Sequence, residues 1–171
     1  MTRASEPFSA ERYQCASAQL ERLHPNQAEL VAGQLARMDP WRTLGYSQPG
    51  LYAYLVQNDP ALYRYVVKKS EKLAGMVTVR HPWLFGPHLE LLAVFPTFQG
   101  HGIGREVLDW LQEEARPSRN VWVVVSGFNA GARRFYSRHG FREIASLGDL
   151  IVPGYDEYLL RKVLGETSDA G

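Results

Sequence analysis

The chain has 171 residues, 45% apolar and 22% charged, with a net charge of +1, the balance of an ordinary soluble domain long enough to bury a core. No basic stripe interleaved with aromatics marks a nucleic-acid partner. The longest apolar runs, 91–95 and 121–125, are far too short to span a bilayer.

Cys15 is the only cysteine, so no intrachain disulfide can form, and the stretch 1–14 lacks the apolar core of a signal peptide. A reducing, cytoplasmic setting is expected. Polar, small-residue ends predict flexible tails over 1–15 and 165–171 around a single folded domain over 16–164.

In chain order, 17–23 reads as a first strand, and Pro25 and Asn26 open an amphipathic helix through Leu30, Val31, Leu35 and Met38 that stops before Pro40. Leu51, Tyr54 and Leu55 carry a second helix up to the Asn58, Asp59, Pro60 breaker. The Tyr- and Val-rich runs 62–68 and 73–79 predict an antiparallel hairpin turned by Ser70, Glu71 and Lys72. A loop over 81–87 feeds a strand over 88–95. Helix, strand, helix, strand and a last strand over 155–163 complete a mixed α/β order.

After the strand come three alternating glycines, Gln99-Gly100-His101-Gly102-Ile103-Gly104-Arg105. Ile103, Val107, Leu108, Leu111 and Ala115 share one helical face that Pro117 ends, so the glycines sit at a helix N-terminus. Glycines there let the backbone bring several N–H groups to an anion at the positive end of the helix dipole. A dinucleotide fingerprint fails because the required third glycine is replaced by Arg105 or Val107, and a Walker loop fails because Gly104 is followed by Arg105 and Glu106. A phosphate or pyrophosphate of another kind is the expected ligand.

Downstream, 121–125 is a β-rich run, and Asn129 suits the N-cap of a helix with Ala132, Phe135 and Tyr136 on one side and Gly140 as its C-terminal cap. On the strand before the glycine turn, His88 and Glu90 lie two residues apart and so on one face, together with Leu92 and Val94. Glu90 interrupts an apolar strand, where an ionised carboxylate needs a partner. It is either a structural ion pair with an arginine or a functional group. The five histidines lack any paired metal spacing, and no metal is expected.

Val94-Phe95-Pro96 followed by the glycine turn, and then Asn129, Ala132, Phe135, Tyr136, Gly140 and Phe141 in the correct order, resemble the two motifs of the GNAT superfamily of acyl-CoA-dependent N-acetyltransferases. The resemblance implies a splayed mixed sheet of six to seven strands flanked by four helices, with acetyl-CoA wedged where 88–95 and 121–126 diverge. It implies pyrophosphate contacts from Gln99, Gly100, His101, Gly102, Ile103, Gly104 and Arg105. It further implies contacts to the acyl carbonyl and pantetheine arm from Leu92, Ala93, Val94, Asn129, Ala132 and Phe135. Tyr136 matches the position that meets the leaving thiol, and Glu90 or His88 would serve the amine as base. Loop aromatics Trp41, Tyr46, Trp83 and Phe85 would line the acceptor side.

A lysine-like amine with a pKa near 10.4 is neutral in only about one molecule in 2,500 at pH 7, so an acceptor amine needs help to lose its proton. The resemblance thus implies acetyl transfer to a primary amine and leaves a homodimer open. An acyl-CoA sensor without turnover is the alternative, and a pure interaction domain would leave the three glycines unexplained.

Overall fold

The computed structural model describes residues 6–165. Eight strands form one sheet in the order β1-β2-β3-β4-β5-β6-β8-β7: β1 (Arg12–Gln14), β2 (Gln19–Arg22), β3 (Leu62–Lys69), β4 (Lys72–Trp83), β5 (Gly86–Val94), β6 (Asn120–Ser126), β7 (Arg142–Gly148) and β8 (Asp156–Val163). All neighbours are antiparallel except β5 and β6. Four helices flank the sheet: α1 (Pro25–Leu35), α2 (Gln48–Val56), α3 (Ile103–Glu114) and α4 (Ala130–Arg138). The architecture is the expected mixed α/β type, with one strand more than the six to seven anticipated.

The extra strand is β1, within a stretch expected to be tail. Phe8 is fully buried, with its ring 5.6 Å from those of His81 and Trp110, and its carbonyl accepts a 2.6 Å bond from the Tyr65 hydroxyl. A lone aromatic in a polar run gives no periodic signal, so its slot was invisible before the fold existed. Phe8→Ala should cost about 3–5 kcal/mol, read as a lower denaturation midpoint with an unchanged m value.

Three of the four helices, α1, α2 and α4, start on a side-chain hydrogen bond, and α3 starts at Gly102 without one. The Gln27 side chain accepts from the His24 N–H ahead of α1, Ser47 Oγ accepts from Gly50 N–H in α2, and Asn129 Oδ1 accepts from Ala132 N–H in α4. Between β3 and β4, Ser70 and Glu71 both take positive φ, the two-residue turn that matches strand twist. The predicted loop over 81–87 is instead largely strand: β4 runs to Trp83 and pairs with Gly86 across Leu84 and Phe85, and an irregularity between Arg80 and Trp83 accommodates Pro82.

The sheet buries two apolar layers. On one face Val107, Leu108 and Leu111 of α3 pack with Tyr65, Val77, Leu89, Val123 and Tyr136. On the other, Val31, Leu35, Leu51 and Leu55 of α1 and α2 pack with Val66, Met76, Leu91 and Ala93. Leu89 and Leu91 therefore face opposite layers although they are two residues apart. The cause is a bulge: Val79 pairs with Leu89 and Thr78 with Leu91, leaving Glu90 extra. His88 and Glu90 keep one face, but Leu92 and Val94 cross to the α3 side, contrary to strict alternation.

Candidate active site

β5 and β6 run parallel but pair only at His88↔Trp122 and Leu89↔Val123. Beyond that point they diverge, and the β5 edge through Val94 loses its neighbouring strand. The Gln99 side chain closes part of this gap by donating a 2.9 Å bond to the Val94 carbonyl.

Two cavities meet in the splay. The larger, about 780 Å³, runs along the end of β5, the glycine turn and the start of α4. Leu92, Ala93, Val94, Gln99, Gly100, Gly102, Ile103, Gly104, Arg105, Asn129, Ala132 and Phe135 all line it. His101, expected with them, does not: its ring is exposed and turns back to the Phe98 carbonyl at 3.2 Å. The smaller cavity, about 280 Å³, lies among β5, β6, the segment after α1 and the β7–β8 connection, and takes in His88, Glu90 and Glu157. Trp41, Leu92, Asn129, Ala132 and Tyr136 border both.

Gly100 and Gly102 both have φ +79°, and a Cβ at either would meet no protein atom within 4 Å. Backbone conformation and open space together make this a cradle that a diphosphate fits, at the N-terminus of a three-turn helix. At Gly104 a Cβ would press on the Phe135 ring at 3.2 Å, so that glycine lets α3 and α4 approach. Arg105 stands exposed beside the turn, where its charge can meet a phosphate.

Tyr136 is 6% exposed and packs edge-on to Phe135 and Phe141 at 5.2 and 5.4 Å. Burial alone pushes its phenol above the ordinary tyrosine value, so it remains a hydrogen-bond donor at neutral pH.

Glu90 proves to be an ion pair. Arg80 donates to it through Nε at 2.6 Å and through a second nitrogen at 3.2 Å, and the Tyr54 hydroxyl adds a bond at 3.1 Å. Arg80 also binds Asp59 at 2.8 Å. His88 lies beside this network with Nδ1 3.8 Å from Glu90 and its ring 4.8 Å from that of Trp83. Its Nε2 is buried without a partner, and burial pushes its imidazole below the usual histidine value, against the opposing pull of Glu90.

Among the expected acceptor-side aromatics, Trp41 and Tyr46 line the smaller cavity, Trp83 backs His88, and Phe85 is 86% exposed at a hairpin tip away from it. Sequence reasoning missed Glu157, a buried carboxylate on β8 in that cavity. No local signal singles it out, because β8 also carries Asp156, Arg161 and Lys162, whereas Glu90 is the one carboxylate in an apolar strand. Among the described residues, no cluster of three His, Cys, Asp or Glu is placed to hold a metal, and no helix is long and apolar enough to cross a membrane.

Comparison with known proteins agrees with this geometry. A curated acetyltransferase of Agrobacterium fabrum is 37% identical over 68 residues, 40% of this chain. The match spans about half, 47%, of that relative's length. An acetyltransferase from Thermus thermophilus superposes with a TM-score of 0.70 at 20% identity, covering 89% of this chain and all of that one. A spermidine N-acetyltransferase from Vibrio cholerae, solved with CoA and spermine, gives 0.68 at 17% identity over 86% of this chain and 96% of its own. The profile of the acetyltransferase (GNAT) family matches residues 29–141, which takes in the splay, the glycine turn and Tyr136, and the chain belongs to that family.

Proposed function

We propose that this protein transfers an acetyl group from acetyl-CoA to a primary amine by direct attack. The observation that carries the reading is the junction: a cleft that opens on the glycine turn joins a second cavity at Tyr136, so donor and acceptor can approach from opposite sides of the splay. The Vibrio cholerae structure with CoA and spermine supports a CoA donor and an amine acceptor.

The thioester supplies an activated acyl group, and the chain supplies position and proton management. Backbone groups along the unpaired β5 edge are available to hold the acyl carbonyl. A leaving thiol with a pKa near 8.5 against a phenol near 10 makes full proton transfer from Tyr136 slightly uphill, so Tyr136 acts chiefly by hydrogen bonding to the developing thiolate. With both its oxygens engaged by Arg80 and Tyr54, Glu90 is a positioning residue whose charge steadies an imidazolium on His88. His88, kept neutral by burial, takes the amine proton.

That assignment has a pH signature. A base must be neutral, and a lowered pKa keeps it neutral to lower pH, so the acid limb of kcat/KM should fall below the usual histidine value of about 6.5. His88→Gln should abolish this limb and reduce kcat/KM by about 10²-fold. An unchanged limb and rate would move the base elsewhere. The function itself is tested by thiol release from acetyl-CoA across small amines, polyamines, amino acids and peptides: release with a subset is expected, whereas tight CoA binding with no release on any amine would indicate a sensor.

A further inference from the structure

Glu157 stands at the start of β8 directly opposite Ser126 of β6 and lines the smaller cavity with Tyr46, His88 and Tyr136. It is 2% exposed. Its two carboxylate oxygens lie 2.9 and 3.0 Å from a single hydroxyl, Ser126 Oγ. A hydroxyl has one proton to give, whereas an ionised carboxylate offers about four acceptor sites. Among the described residues no Lys, Arg or His forms a salt bridge with it.

The contrast with other carboxylates that are at least half-shielded is direct: Glu106 accepts from the Ser17 N–H and hydroxyl and the Ala18 N–H, and Glu114 from the Phe8 N–H and the Tyr13 hydroxyl. Glu90 is held by Arg80, and Glu21 by Lys68 and Arg12. An anion taken from water without a counter-ion is unfavourable by several kcal/mol, and burial accordingly pushes the Glu157 carboxyl above the usual carboxylate range, with the Ser126 bond opposing. Strand pairing does not require the charge, because β6 and β8 already pair continuously from Asn120↔Val163 to Ser126↔Glu157. The cavity wall beside it is apolar and aromatic, with Trp41, Leu44, Tyr46 and Leu150, a lining that suits an alkyl chain ending in a cation.

We propose that Glu157 is the acceptor-recognition residue, the counter-ion that receives the ammonium group of the acceptor inside the smaller cavity. The inference rests on the acetyl-transfer reading and narrows the acceptor to a small, cationic primary amine, disfavouring neutral or anionic amines. The acceptor binds in its protonated form and its charge completes the unpaired carboxylate.

Calorimetric titration of n-pentylamine and of n-pentanol into the CoA-saturated protein separates charge recognition from cavity shape. Wild type should prefer the amine, and Glu157→Gln should weaken it about tenfold to hundredfold while leaving pentanol and CoA affinities unchanged. Glu157→Asp, which keeps the charge, should retain the preference at reduced affinity and serves if the Gln variant fails to fold. No binding of pentylamine to wild type, equal loss of amine and alcohol, or no preference in the Asp variant would overturn the proposal. Failure of the acetyl-transfer reading shows separately, as absence of thiol release with every amine despite Glu157-dependent amine binding.

Discussion

Tyr136→Phe should lower kcat by about 10²–10³-fold while leaving the affinity for CoA and the thermal midpoint nearly unchanged. The substitution removes one oxygen and keeps the ring that packs against Phe135 and Phe141. Ordinary burial of a tyrosine would predict the opposite pattern, with unaltered turnover and a modest stability change. What favours a large kinetic effect is location: Tyr136 borders both cavities, and its elevated pKa keeps the phenol proton in place at neutral pH. A thiolate developing beside it would meet a donor whose ring is held in place by Phe135 and Phe141. A variant with wild-type kcat would remove Tyr136 from the chemistry and leave the fold and donor site intact.

Gly102→Val should raise the KM for acetyl-CoA by roughly tenfold to hundredfold, with a smaller effect on kcat. Two effects combine. Gly102 caps α3 in the left-handed region at φ +79°, a conformation that costs an L-residue about 1–2 kcal/mol and a β-branched one more. Relief of that strain would turn the local N–H groups away from an anion. A side chain retained in place would occupy the open space over the turn, where no protein atom lies within 4 Å. Initial-rate kinetics with acetyl-CoA varied at saturating amine separates the two constants, and an unaffected KM would contradict the pyrophosphate assignment.

Much of this site was legible before any coordinates because local chemistry determines it. The glycine turn needs only positive φ and a following amphipathic helix, and Asn129 needs only the first turn of α4; both are where spacing put them. Spacing placed Tyr136 on one side of that helix with Ala132 and Phe135, and its role came from the family resemblance. What stayed hidden depends on long-range partners. Glu90 could be narrowed to an ion pair or a functional group, but Arg80 becomes its partner only through β4–β5 register, and the bulge that separates its face from that of Leu92 has no local signature. Glu157 meets Ser126 across 31 residues of chain through strand pairing. Phe8 is buried because rings from Tyr63, His81 and Trp110 converge on it, which no window of sequence contains.

The division of labour across the splay also follows from these contacts. The α3 side presents backbone N–H groups and Arg105, which suit phosphate oxygens, whereas the opposite side presents aromatics and Glu157, whose carboxylate has no salt-bridge partner among the described residues. In the proposed reaction an acyl group crosses between these halves at Tyr136. That transfer is tested most directly by incubating the purified protein with acetyl-CoA and small primary amines and quantifying both products. Equal amounts of free CoA thiol and N-acetylated amine, formed only with protein present, are predicted; thiol release without acetylated amine, or no release with any amine, would contradict the account.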